Sequence, residues 1–225
     1  MAAENDSLAR RVEAVRQAAS AESLLEATRA LANSDHGACV DEGAIACLVE
    51  VLGFNNPGAA VAAVDGLIRL GPAAVEPLLA RLDPRNYGAR AWAVRALAGI
   101  GDVRGLELLE EALASDVGPS VRRAAACGLG RLRLSDLPVV ERAPLRQRAL
   151  QSLLAGCRDG EWVVRYAVAV GLESLAGTME PEPEQRRQLW QALQALGQPE
   201  REETPVVRLR AKLALEQLAQ QEEER

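Results

Sequence analysis

The chain has 225 residues, 48% hydrophobic and 26% charged, a composition that excludes a disordered protein and fits a soluble globular one. Its 26 lysines and arginines stand against 32 acids, a net charge of -6 that disfavours phosphate-backbone binding, so nucleic acid is not an expected partner. No apolar run approaches the roughly 18 residues of a membrane span, and Met1 to Arg11 carries Glu4 and Asp6 instead of a secretory apolar segment, so the expected location is the cytoplasm.

In chain order, a helix near Ala3 to Ala19 is expected to cap one end. A weak repeat copy then centres on Leu31, and five clear copies follow without gaps: AAVAAVDGLIRLG (59–71), ARAWAVRALAGIG (89–101), VRRAAACGLGRLR (121–133), VRYAVAVGLESLA (164–176) and VRLRAKLALEQLA (207–219). Their anchor leucines are Leu67, Leu97, Leu129, Leu172 and Leu215, separated by 30, 32, 43 and 43 residues, the length of a helical pair with variable loops. Apolar residues recur at helical spacing almost throughout, and alternating strand patterns are absent. Partner helices are expected over Ala74–Leu82, Leu106–Leu113, Leu145–Ala155 and Arg186–Leu196, with stops at Gly71-Pro72, Gly101-Asp102 and Gly197-Gln198-Pro199. The expected architecture is all-α: one HEAT-like αα superhelix over 1–225, with five to six helical pairs and an acidic tail, 220–225, that frays.

Within each copy, small residues four places before the anchor and apolar ones three places after it define the packed stripe. Candidate binding positions off that stripe then lie ten, six, five and two places before the anchor; at six stand Val61, Ala91, Arg123, Tyr166 and Leu209, and at two Asp65, Arg95, Cys127, Val170 and Leu213. Tyr87 and Trp162 sit ten places before it, and Trp92 five. Tyr87, Trp92, Trp162 and Tyr166 are either gap-fillers between thin alanine-rich helices or an apolar wall for a planar ligand or partner helix. Arg90, Arg122, Arg165 and Arg208 repeat at one position and read as a structural ladder on loop acids such as Asp116 or Asp159, whereas Arg95 and Arg123 fall outside that column and suit a ligand carboxylate. Lys212 is the lone lysine among the basic residues, an arginine excess explained equally by planar recognition and by codon bias.

No nucleophile elbow, phosphate loop, zinc motif or dinucleotide fingerprint occurs. His36, the single histidine, beside Asp35 and near Cys39, reads as a solvated loop residue. Cys39, Cys47, Cys127 and Cys157 form no Cys-x-x-Cys pair, so neither disulfides nor a metal is expected, and no catalytic residue is assigned.

Residues 51–71, VLGFNNPGAAVAAVDGLIRLG, and 86–102, NYGARAWAVRALAGIGD, followed by SVRRAAACGLG and EWVVRYAVAVGL, resemble the F-subunit family of the heterodimeric phycocyanobilin lyases across residues 20–176. The resemblance implies a HEAT-like protein that works with an E-type subunit. Together they would attach phycocyanobilin, a substrate and not a cofactor, through a thioether to a cysteine of the apo-phycocyanin α subunit, and also detach or transfer it. The client then supplies the nucleophile. A related isomerising lyase carries a His-Cys motif where this chain reads Asn55-Asn56-Pro57-Gly58, a departure that implies attachment without isomerisation. On this reading the four aromatics wall a flat tetrapyrrole, Arg95 and Arg123 take its propionates, and Asp65 its ring N–H groups. A non-catalytic HEAT scaffold and a phycobilisome-degradation protein that binds chromophorylated subunits would share the repeat pattern, and both stay open at this point.

Overall fold

Side-chain caps and special residues set most of the helix boundaries. The computed structural model describes residues 2–34, 41–81, 85–177 and 182–223, with side chains from residue 7 onward; Asp35, His36 and Cys39 lie outside the described residues. Helices α1 (Ala2–Arg16), α2 (Ala21–Ala32), α3 (Glu42–Val51), α4 (Pro57–Leu70), α5 (Val75–Ala80) and α6 (Tyr87–Ile100) form one compact unit, Met1–Ile100. Helices α7 (Leu106–Ser115), α8 (Pro119–Gly130), α9 (Val139–Gly156), α10 (Trp162–Gly177), α11 (Pro183–Leu196) and α12 (Pro205–Glu223) form a second, Gly101–Arg225. Ser20 and Ser23 make a reciprocal capping box on α2, Asp41 accepts from the Ala44 N–H on α3, and Asn56 accepts from Ala59 on α4 ahead of Pro57. At the other ends, Gly71 and Gly101 take φ of 65° and 71°, a left-handed turn that favours glycine, and Gly197 caps α11. The three glycine stops read from the sequence are thus where helices end.

Each unit is two layers of helices in three pairs. In the first, α2, α4 and α6 stand in a row packed on α1, α3 and α5; in the second, α8, α10 and α12 stand in a row packed on α7, α9 and α11. Among the described residues there is no strand, and the all-α repeat architecture of six pairs follows. The N-terminal helix packs on α2 and α3 as the first member of a pair, and α12 stays helical to Glu223.

The cores are alanine and leucine, as the shortage of aromatics requires. Leu31, Leu67, Leu97, Leu129 and Leu172 are fully buried, as are Ala63, Ala93, Ala125, Val168 and Ala211 four places before each clear anchor. Leu215 is only half-buried. Small residues bring backbones together: a Cβ on Gly66 would meet the Ala32 Cβ at 2.8 Å, and one on Gly171 would meet the Ala126 carbonyl oxygen at 2.5 Å.

The expectation that no stretch is long and apolar enough for a membrane span needs correction. Pro57–Ala80 reaches a mean hydropathy of 1.4 over a spanning window. It is two helices joined by a 3-10 turn at Gly71–Ala74, and half of that window is buried against its neighbours, so its apolarity belongs to the core.

Candidate functional site

Arginine and acid residues 43 positions apart build a regular ladder in the second unit. Arg122 donates Nε and Nη2 to Asp159 at 2.7 and 2.9 Å, and Nη1 to the Asp116 carbonyl oxygen at 2.9 Å. Arg165 repeats this one pair later, with Nε and Nη2 on Glu202 at 2.5 and 2.8 Å and Nη1 on the Asp159 carbonyl oxygen at 2.7 Å. Arg208 keeps the carbonyl half, donating to the Glu202 and Glu203 carbonyl oxygens at 2.8 and 2.7 Å. Asp116 therefore serves Arg122 through its backbone, while its carboxylate accepts from the Gly118 N–H at 2.8 Å. Each acid closes its own loop in this way: Asp159 accepts from the Glu161 N–H and Glu202 from the Thr204 N–H. The Arg165 hydrogen bonds hold the Glu202 carboxyl below its ordinary range against the cost of burial. Burial would raise Asp159, but Arg122 and the Glu161 N–H together pull it down. In the first unit Arg90 occupies the matching turn of α6 and is half-buried.

The opposite stripe of these second helices carries the candidate ligand-facing groups. In the first unit the Arg95 guanidinium lies over the Trp92 ring, 4.6 Å from its centroid, one turn along α6. Asp65 is exposed at the same register on the neighbouring α4, at the rim of a cleft of about 210 Å³ that Arg29, Val61 and Arg69 also line. Arg69 is already committed to the Ala32 carbonyl oxygen and Asn33. Tyr87, 73% exposed at the first turn of α6, is set roughly 140° around the helix from Trp92, so these two rings do not form one wall. Asn56 has a structural duty: besides capping α4 it donates to the Ala21 carbonyl oxygen at 2.8 Å.

In the second unit, Arg123 on α8 is exposed and shares its register with the half-buried Tyr166 on α10 and the exposed Leu209 on α12. Trp162, 46% exposed, stands one turn before Tyr166 on the same face. Cys127, Val170 and Leu213 follow one turn further along their helices. Two charged groups here, Arg210 and Glu173, are not among the candidate residues expected from the sequence. Arg210, one residue beyond that column on α12, makes an ion pair with Glu173 of α10, and its guanidinium is within electrostatic reach of Tyr166 and Cys127. Its only sequence signal is that it holds the register occupied by Trp92 on α6.

The described thiols are poor nucleophiles. Burial pushes Cys47 up to about 11 and Cys157 up to about 12, and raises Cys127 despite nearby Arg131, Arg123 and Arg210. Among the described residues no group of acids, histidines or cysteines is arranged to hold a metal ion.

The family model for HEAT repeats matches residues 48–130 and 75–173. The chain is 53% identical over 167 residues to the phycocyanin alpha phycocyanobilin lyase CpcF of Synechocystis sp. (strain ATCC 27184 / PCC 6803 / Kazusa), covering 74% of this chain and 76% of that protein. With the phycocyanobilin lyase subunit beta of Pseudanabaena tenuis (strain PCC 7409) it shares 54% identity over 172 residues, covering 76% of this chain and 59% of the longer relative. Its fold matches a chain of the CpcE–CpcF complex of phycocyanin lyase from Nostoc sp. PCC7120 with a TM-score of 0.69 and 40% identity, over 78% of this chain and 99% of that one. Repeat pattern, helical pairing and identity across most of both chains agree, and the protein belongs to the CpcF family of HEAT-repeat phycocyanobilin lyase subunits.

Proposed function

We propose that this chain is one subunit of a heterodimeric phycobilin lyase that attaches phycocyanobilin by a thioether to a cysteine of the apo-phycocyanin α subunit in the cytoplasm, together with an E-type partner. The observation that carries this reading is the 53% identity with a CpcF lyase, supported by the match to a chain of a CpcE–CpcF complex. The residue chemistry agrees with it. A linear tetrapyrrole offers a flat conjugated surface, two propionates and pyrrole N–H groups; the first unit by itself offers Trp92 with its adjacent Arg95 and the exposed acid Asp65, and the second offers Tyr166 near Arg210.

The bond-forming step is the addition of the client's S–H across the bilin's ethylidene double bond, which needs neither an oxidant nor a leaving group. The three described thiols of this chain are kept protonated by burial, so its own part is to bind, orient and shield the bilin while the client thiol attacks. Asn56 in place of a His-Cys motif leaves no thiol at that turn, consistent with attachment alone.

Co-expression of this chain with an E-type subunit, apo-α-phycocyanin and a phycocyanobilin source tests the reading. Zinc fluorescence on a denaturing gel is expected at the α subunit only when all four are present. An unlabelled α subunit in the complete mixture would contradict it, and would leave a scaffold role.

A further inference from the structure

Arg210 is an arginine with an unmet hydrogen-bonding capacity. Its side chain is 12% exposed and its Nη2 is paired with Glu173, yet its buried Nη1 has no hydrogen-bond partner. A guanidinium N–H left without an acceptor inside a protein destabilises the unliganded state, so such a group calls for an explanation in terms of what completes it. The helix register places it beside a basic and partly apolar face. Arg123 and Cys127 lie on α8 with Arg131 just past its end, Tyr166, Val170 and Glu173 lie on α10, and Leu209 and Leu213 lie exposed on α12. Arg123, Arg131 and Arg210 all lie within electrostatic reach of Cys127, on a chain whose net charge is -6.

Given the bilin-lyase reading above, on which this inference rests, we propose that Arg210 is the carboxylate anchor of the second unit: one propionate of the bilin completes its Nη1, with Arg123 flanking it and the Tyr166 ring against the tetrapyrrole. The ion pair with Glu173 holds the guanidinium plane in place, so Nη1 is preset for a carboxylate oxygen. Nη1 is covered in the unliganded chain, and the propionate reaches it by displacing the side chains that cover it. A ligand without a carboxylate gains nothing from that displacement. Arg210 therefore selects an acid-bearing planar ligand and fixes which end of it points along α12.

The test compares phycocyanobilin with its dimethyl ester, each titrated by absorbance into the complex of the full chain with its E-type partner. The wild-type complex is expected to prefer the free diacid by about tenfold or more. The double substitution Arg210→Met with Glu173→Gln removes both charges together; it should abolish most of that preference while ester binding stays within about twofold. Arg123→Gln, at an exposed residue, should narrow the preference by about threefold with an unchanged melting temperature, and it decides the matter if the double variant does not fold. An undiminished preference in either folded variant overturns the proposal. Equal binding of diacid and ester by wild type also overturns it and leaves the lyase reading intact, whereas no binding of either form removes both.

Discussion

Glu202 sits in a surface loop with 2% of its surface exposed, and Arg165 is what makes that burial tolerable. Removing one partner strands the other, so Arg165→Ala is expected to cost about 3 kcal/mol, read as a lowered urea midpoint. Glu202 and Asp159 both titrate below their ordinary range in the folded chain. For a depressed acid the stabilisation is full above the unfolded pKa and lost as pH falls through the folded one, so unfolding free energy should decline progressively below about pH 4.5. In Glu202→Gln that decline should be shallower, and an unchanged acid slope in urea titrations would show that the ladder does not carry it. Arg95 differs in kind from these. Its ring contact is half-exposed and worth about 0.5–1 kcal/mol, so Arg95→Ala should hold its melting temperature within a few degrees yet load the client more slowly. Arg90→Ala, in the ladder register, should do the opposite.

At the scale of the helix, small residues set how closely neighbours approach. Gly171 on α10 faces the Ala126 carbonyl oxygen on α8, and Gly130 meets Gly171 backbone to backbone, so Gly171→Ala is expected to destabilise by about 1–3 kcal/mol through overpacking. The position three before the anchor changes character in α12. It is Val64, Val94, Ala126 and Ala169 in successive second helices, all buried, and exposed Lys212 in α12. The one lysine thus keeps charged and soluble a register that is buried in the other second helices. Lys212→Val should produce concentration-dependent self-association in size-exclusion chromatography, and a monomer at all concentrations would assign Lys212 no such role. Most of this was legible in the sequence, since anchors, glycine stops and arginine spacing are local periodic signals. The partners of the arginines were less so: Glu202 is reached from Arg165 across 37 residues, and only the stacking of α10 on α12 shows that it, and the Asp116 carbonyl oxygen rather than its carboxylate, closes the ladder.

For the whole molecule, periodicity gave the helical pairs and resemblance gave the family, while the candidate ligand-facing set was only half visible. Trp92 and Arg95 are neighbours on one helix and therefore readable. Arg210 meets Glu173 from another helix, and its orphaned Nη1 is a property of packing that no spacing rule contains. Tyr87 shows the converse: adjacency in the repeat alignment placed it with Trp92, and helix rotation separates them. With no thiol poised for attack among Cys47, Cys127 and Cys157, replacing these three by Ala should leave bilin transfer within a few-fold, provided the variant folds.

Both the family and the apolar residues each unit leaves exposed on a charged chain, Val61 in the first and Leu209 and Leu213 in the second, point to a subunit that works only when partnered. The rate at which purified apo-α-phycocyanin acquires denaturation-resistant bilin should therefore be measured with this chain alone, an E-type subunit alone, and both at equal concentration. Loading confined to the pair, and lost when the client cysteine is replaced, is the predicted result. Loading by this chain alone at the rate of the pair would contradict it.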